Sequence, residues 1–204
     1  GSARKLGPLL QALEQTAYVA LDISAEHLAT ACRRLQGDHP GVPMLGICCD
    51  YSQLEQLPSH PLLKTQRRLG FFPGSSLGNF TTAAAEALLR QFRRLLGPSG
   101  TLLIGIDQPK ATERLEAAYD DAAGISARFA LNLLERLNRD LDCESDLDQF
   151  RYQARWVPEA SHIEMALISQ REQTVQACGR SWHFAAGEAL VTETSHKYSP
   201  EAFL

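Results

Sequence analysis

Over the first half of the chain, short apolar runs alternate with stripes of apolar residues at helical spacing. Leu9, Leu10 and Leu13 share one face of a first helix, with Pro8 tolerable only in its opening turn. Ala17-Tyr-Val-Ala-Leu-Asp22 then has the length of a buried strand and ends in a carboxylate. Ser24 is a good N-cap, and Leu28, Cys32 and Leu35 form the buried stripe of the helix it opens. After a loop from Gly37 to Pro43, Met44-Leu-Gly-Ile-Cys-Cys49 is a second strand, closed by Asp50. Leu69-Gly-Phe-Phe72 is a third, followed by a Gly- and Ser-rich loop from Pro73 to Phe80. A helix from about Thr81 to Leu96 stops at Gly97-Pro98-Ser99-Gly100, and Thr101-Leu-Leu-Ile-Gly-Ile106 is the fourth strand, ending at Asp107. Strands alternating with helices predict an α/β fold with a parallel, doubly wound sheet.

The pattern changes after Asp107. Glu113 to Leu141 reads as helical with a break near Gly124, Leu131, Leu134 and Leu137 giving the buried face. From Arg151 the period becomes two: Tyr152, Ala154, Trp156; Ile163, Met165, Leu167; Val175, Ala177; then Trp182, Phe184, Leu190 and Thr192. Sequential strands with short links predict an antiparallel meander. Residues 108–196 are therefore read as an α+β subdomain inserted into a core of residues 1–107, to which 197–204 begin to return. The opening Gly1-Ser2-Ala3-Arg4-Lys5 is similar to the second half of a nucleoside-binding glycine loop without the strand that precedes such loops, though Gly1-Ser2 also fits a cloning remnant. A new helix starts near Ser199. The chain is thus expected to be truncated at both ends.

Composition narrows the function classes. The 204 residues are 44% hydrophobic and 22% charged, with a net charge of −4 and no basic block of the kind a nucleic-acid groove requires. No apolar run approaches a membrane span, and no signal peptide is visible. Five cysteines without CxxC spacing point to a reducing cytoplasm and no structural metal, with Cys48 and Cys49 read as small core residues. A monomer is expected.

Several constellations carry chemistry. Asp22 and Asp50 end strands one βαβ step apart, at the edge where nucleotides bind in doubly wound sheets. Each alone is more simply a turn or loop residue; together, behind a glycine-loop remnant, they indicate an adenosine site. Gly74-Ser-Ser-Leu-Gly78 matches the G-x-S-x-G elbow of serine hydrolases, but an elbow needs its helix to begin directly after the serine, and here Gly78, Asn79 and Phe80 intervene. Asn79 offers a donor and an acceptor to a carboxylate or amine, although Gly-Asn is commonly a turn. Tyr119-Asp-Asp121 is a polar cluster among alanines. Glu193 and Ser195 point to one side of a strand at period two; a solvated face explains this, and so does an imidazole, which has one N–H and one lone pair.

Taken together, Phe71-Phe-Pro-Gly-Ser-Ser-Leu-Gly-Asn-Phe80, Ala118-Tyr-Asp-Asp-Ala-Ala-Gly124, Asn132-Leu-Leu-Glu-Arg-Leu-Asn-Arg139, Ile163-Glu-Met165 and Thr192-Glu-Thr-Ser-His-Lys-Tyr198 resemble the histidine Nα-methyltransferases of ergothioneine biosynthesis. The resemblance runs along essentially the whole chain. It implies a Rossmann-like class I methyltransferase core carrying an inserted substrate domain, with S-adenosylmethionine as cofactor and histidine as substrate, converted to its trimethyl betaine. It implies Lys5, Asp22, Asp50 and Tyr51 as cofactor-site residues. Asn79 and Tyr119 would hold the carboxylate and amino end and act in catalysis. Glu193, Thr194 and Ser195 would hold the imidazole, while Gly74 and Ser76 line the pocket. Leu6-Gly7 departs from the family's more usual Thr-Arg pair. Methylation of a tryptophan derivative or a thiohistidine, a serine hydrolase, and a non-catalytic binding module stand as alternatives.

Overall fold

The computed structural model describes residues 5–13, 16–64 and 67–203. Gly1 to Arg4, the start of the expected glycine-loop remnant, lie outside the described residues. Two compact units result: Gly1–Pro73 with Ala83–Ile104, and Gly74–Thr82 with Gly105–Leu204.

In the first unit α1 (Gly7–Ala12) starts with proline in its opening turn. It stops before Leu13, which is exposed rather than part of the buried face. Strand β1 (Tyr18–Asp22) pairs in parallel with β2 (Met44–Cys48), joined by α2 (Ala25–Asp38), whose N-cap Ser24 accepts from the His27 amide at 3.4 Å. Leu6, Leu10 and Leu35 form the core between these helices and the pair, against Tyr18, Met44 and Phe71. Strand β3 (Leu69–Phe72) pairs in parallel with β4 (Thr101–Ile104) across α3 (Thr82–Leu96). Arg68 donates to the carbonyls of Leu95 and Leu63 at 2.6 and 3.2 Å, tying the start of β3 to the end of α3. Both crossovers are βαβ units, as the alternation predicts. Among the described residues, however, the strands form two separate parallel pairs and not one doubly wound sheet, and β1 does not pair with β3. Cys48 is exposed and Cys49 half-buried, because both lie where β2 runs out toward its carboxyl edge; the expectation that they sit in the core is corrected.

The second unit is a three-stranded antiparallel sheet, β5 (Phe150–Val157), β6 (His162–Ser169) and β9 (Ala189–His196), in the order β5-β6-β9. Strands β7 (Gln173–Ala177) and β8 (Arg180–Phe184) form a separate hairpin between β6 and β9. The expected meander is therefore interrupted: Arg171 and Glu172 lead the chain out of the sheet, and β9 returns to the edge of β6. Helices α4 (Thr112–Tyr119) and α5 (Ile125–Leu141) cover one face, where Leu115, Ala130 and Leu134 meet Phe150, Tyr152, Ala154, Ile163, Met165 and Leu167. The helical pattern breaks over Asp120–Gly124, and Asp121 caps α5, accepting from the Ile125 and Ser126 amides at 3.0 and 2.8 Å. A short helix α6 (Pro200–Phe203) ends the unit.

Among the described residues, no strand pairs with the edge of β9 opposite β6. The 3₁₀ turn Ser76–Asn79 lies along it, and Gly78 is the point of closest approach: a Cβ there would stand 2.6 Å from the His196 carbonyl oxygen. Gly78→Ala should destabilise the fold by roughly 1–3 kcal/mol through this backbone clash, as overpacked sites do. Chemical denaturation checks it, and an unchanged midpoint would show that the turn does not seal β9.

The two amides at the start of α5 hold the Asp121 carboxyl at about 2, against an ordinary 3.8. The folded value is depressed, so this contribution is complete above about pH 4 and is lost as pH falls through about 2. Asp121→Ala should therefore lower the thermal midpoint at neutral pH, with a deficit that narrows over that acid range. A deficit independent of pH would point to a contribution other than the charged cap.

Candidate functional site

The carboxyl edge of the β1–β2 pair carries the first group of candidates. Asp22 accepts from the Ser24 amide at 2.9 Å, which holds its carboxyl below the usual range. Asp50 accepts from the Ser52 amide at 2.9 Å and from the Ser52 hydroxyl at 2.6 Å, the hydroxyl being the larger cause of its lowered value. Both local turns expected on the simpler reading are thus real, and both keep the carboxylates charged. Tyr51 is anchored in an aromatic group with Phe72 and Phe92, at ring-centroid distances of 5.9 and 6.3 Å, and its burial pushes the phenol up. Gln91, buried on α3, donates through one nitrogen to the carbonyls of Tyr51 and Leu54, both at 2.8 Å. Two backbone acceptors on one side-chain amide fix the course of the loop that carries Asp50. Lys5 is exposed in the turn before α1.

The second group is built by an irregularity in β9. Register runs Leu190↔Leu167 and Val191↔Ala166, then jumps to Glu193↔Met165 and Ser195↔Ile163, leaving Thr192 as the extra residue. Its hydroxyl donates to the Met165 carbonyl at 3.1 Å. A bulge of this kind changes which parity of the strand faces the core. Before it Leu190 packs inward, whereas after it the inward residues are Glu193, Ser195 and, just beyond the strand, Lys197. The strict alternation that placed Thr192 with Leu190 is corrected here. Glu193 and Ser195 do not lie on a solvated strand face; they join the covered face, and Ser195 is 3% exposed.

Two further side chains arrive there from distant parts of the same unit. Asn79 Nδ2 donates to Glu193 Oε1 at 2.7 Å, across 114 positions of sequence. The Tyr119 hydroxyl, at the last turn of α4, lies 2.8 Å from Ser195 Oγ. Tyr152 donates to the Tyr119 carbonyl at 2.8 Å and holds that turn down. Burial first, then the nearby carboxylates, pushes Tyr152 up to about 12, so it serves as a neutral phenol. Thr194 pairs with Glu164 on the opposite face, so the structure brings its backbone, not its side chain, to the group. Gly74 and Ser76 lie on the loop that ends at Asn79, with Gly74 at φ 85°.

Lys197 was not singled out by sequence reasoning. Its ammonium is buried, donating to Tyr119 Oη at 2.6 Å and to Ser195 Oγ at 2.8 Å, with Asp107 Oδ2 at 3.4 Å. The available signal was its spacing: 193, 195 and 197 share one parity. Asp120 and Asp121 stay out of the group, the latter being spent on the α5 cap. The hydrolase reading loses its geometry. The left-handed residue is Ser75, not Ser76, and α3 begins only at Thr82, so no helix starts behind the serine. Among the described residues no cluster of metal-ligating side chains occurs, and no helix is long and apolar enough to cross a membrane.

Comparison with known proteins meets this geometry. The family described as histidine-specific methyltransferase, SAM-dependent, matches residues 1–204. The histidine N-alpha-methyltransferase of Mycolicibacterium smegmatis is 35% identical over 208 residues, covering 98% of this chain and 63% of its own length. That of Mycobacterium tuberculosis is 34% identical, covering 99% and 64%. Ergothioneine biosynthesis protein 1 of Neurospora crassa is 32% identical over 142 residues, 68% of this chain and 16% of its own. The chain thus spans less than two thirds of the length of these relatives. With a full-length family match behind the residues gathered here, the chain belongs to the histidine-specific, S-adenosylmethionine-dependent methyltransferases.

Proposed function

We propose that the protein transfers methyl groups from S-adenosylmethionine to the α-amino group of histidine, through to the trimethyl betaine of ergothioneine biosynthesis. The observation that carries this reading is the inward-facing Glu193–Ser195 pair, met by Asn79 and Tyr119. A carboxylate acceptor and a hydroxyl side by side answer the N–H and the lone pair of a neutral imidazole. An indole, with an N–H and no lone pair, leaves the hydroxyl unanswered, which disfavours a tryptophan derivative.

The first unit fits the nucleoside on its own terms. Asp22 and Asp50 remain ionised at the carboxyl edge of a parallel pair, where hydroxyl and amino donors of an adenosine are held in doubly wound folds. We take the two parallel pairs as parts of one such sheet, residues 1–107 as the cofactor-binding core and 108–196 as the substrate subdomain. When bound, S-adenosylmethionine supplies a methyl carbon on a sulfonium, an electrophile that needs a neutral amine in line with it. The protein's task is therefore positioning. Asn79 and Tyr119 hold the amino-acid end while Glu193 and Ser195 hold the ring. The Asn79–Glu193 bond ties the two holds into one frame. A frame that grips both ends and leaves the nitrogen unclamped serves each successive transfer with the same geometry.

Calorimetry of the full protein with histidine and S-adenosylhomocysteine tests the reading. Glu193→Ala should weaken histidine binding roughly 5- to 150-fold, since a ring N–H loses its acceptor in a covered site, with cofactor affinity near the parent's. Histidine binding as tight as the parent's would remove the imidazole assignment. Asp22→Ala should weaken cofactor binding by roughly 10- to 150-fold, the worth of hydrogen bonds to a charged acceptor, and Asp50→Ala by less. Unchanged cofactor affinity in both folded variants would remove the nucleoside assignment.

A further inference from the structure

The side of the sheet away from α4 and α5 carries a cluster that the histidine reading does not use. His162 and His196 face each other across β6 and β9 at the last rung of their ladder, with ring centroids 4.9 Å apart and ring planes at 77°. Tyr198 stacks on His196 at 6.4 Å, and Phe203 of α6 meets Tyr198 at 5.5 Å. Among the described residues, both ring nitrogens of His162 and the Tyr198 hydroxyl are buried without a hydrogen-bond partner. Such groups are uncommon in a folded chain and mark a place where packing is held against a polar cost.

Three parts of the site meet at this rung. Ser195 and Lys197, the chain neighbours of His196, turn their side chains to the covered face. The Lys197 amide donates to the Ser161 carbonyl at 2.8 Å, just beyond the rung. The turn Ser76–Asn79 rests on the His196 backbone through Gly78, and the same turn carries Asn79 to Glu193. A displaced His196 would therefore loosen Asn79, Ser195 and Lys197 together.

The surroundings of the His196 ring do not welcome a charge. Strand β6 brings His162 and, two residues on, Glu164, whose carboxylate is already bonded to Arg155 of β5 at 3.0 Å. The turn Pro158–Ala160 brings the exposed Glu159 and a backbone hydrogen bond from Ala160; α6 brings the exposed Glu201. The turn Ser76–Asn79 has no titratable side chain, and Tyr198 presents its ring. The neighbour on the strand itself, Lys197, is a cation. Burial first, then His162, holds the His196 imidazole below its ordinary 6.5, with Lys197 adding to this and the Ala160 backbone opposing it. The folded value is depressed, so the contribution of the neutral ring is complete well above 6.5 and is lost as pH falls below 6.5 toward the folded value.

We propose that the His162–His196 rung is an acid-sensitive latch on the end of β9: a neutral His196 keeps Asn79, Ser195 and Lys197 in place, and a proton on it lets the strand end and the turn resting on it open. That these residues hold histidine rests on the reading above; the opening is tested without any ligand, so each can fail alone.

The full protein is melted without ligand at about pH 7.5 and about pH 5.5, beside His196→Phe, which keeps a ring against His162 and Tyr198 but cannot take a proton. Between the two conditions the thermal midpoint of the parent should fall by roughly 2–4 °C more than that of the variant, the shift one depressed group gives a chain of this size. A fall no greater than the variant's overturns the inference. If His196→Phe does not fold, amide hydrogen exchange of the parent decides, with rates corrected for the intrinsic effect of pH. The amides followed are Lys197, Phe80, which donates to the Leu77 carbonyl at 3.2 Å and closes the turn, and Ser169, which donates to the Glu188 carbonyl at 2.9 Å at the far end of the same strands. Protection of Lys197 and Phe80 should drop by at least about 10-fold at the lower pH while that of Ser169 holds. A drop shared by Ser169, or one missing from Lys197 or Phe80, overturns the inference.

Discussion

One inserted residue in β9 governs the second unit. With Thr192 bulged out, the inward positions pass from Leu190 to Glu193, Ser195 and Lys197. Restoring a regular ladder would turn Thr192, Thr194 and His196 onto the covered face, and the polar side chains that β9 supplies would point to the other side. The bulge is held by the Thr192 hydroxyl on the Met165 carbonyl, so the extra residue supplies its own anchor. Upstream of it the strand contributes apolar packing to the core under α4 and α5. Downstream the same face becomes polar without leaving the sheet.

That polar stretch is tolerable because it is closed on itself. Lys197, Ser195, Tyr119 and Asp107 answer one another, Glu193 is answered by Asn79, and Tyr152 holds the end of α4 so that Tyr119 stays in reach. A covered charge that is paired and hydrogen-bonded recovers much of its desolvation cost, whereas one that loses its partners does not. The small residues Ala117 and Ala118 beside Tyr119 belong to the same turn, which ends where Asp120 departs from helical backbone.

The βαβ alternation was legible because each strand is a short apolar run, with a carboxylate closing three of the four, and each helix carries a clean stripe. Strand β3 and the N-cap Ser24 fall where the pattern places them. Pairing beyond neighbours was not legible: apolar runs specify a strand but not which edge it meets, so the β1–β2 and β3–β4 pairs stand apart among the described residues. The hairpin β7–β8 was read as part of a continuous meander, since period two looks the same in a core strand as in an outlying hairpin. The residues of the site were visible as motifs, but Glu193 and Ser195 could equally have been surface. The difference lay in one unpaired residue, and strict alternation has no term for that. Lys197 was overlooked for the related reason that a lysine by itself reads as solvated.

The turn sealed over β9 by Gly78 bears on how this sheet meets other chains. At His196, the end of β9, the backbone of Gly78 takes up that side, which leaves no room for an incoming strand to pair there. The other margin is β5, whose outward residues include Arg151 and Arg155, the latter bonded to Glu164. Outward charge on an edge strand discourages edge-to-edge growth, so each margin of the sheet carries a feature that opposes strand addition: the arginines on β5 and the Gly78 turn at the end of β9.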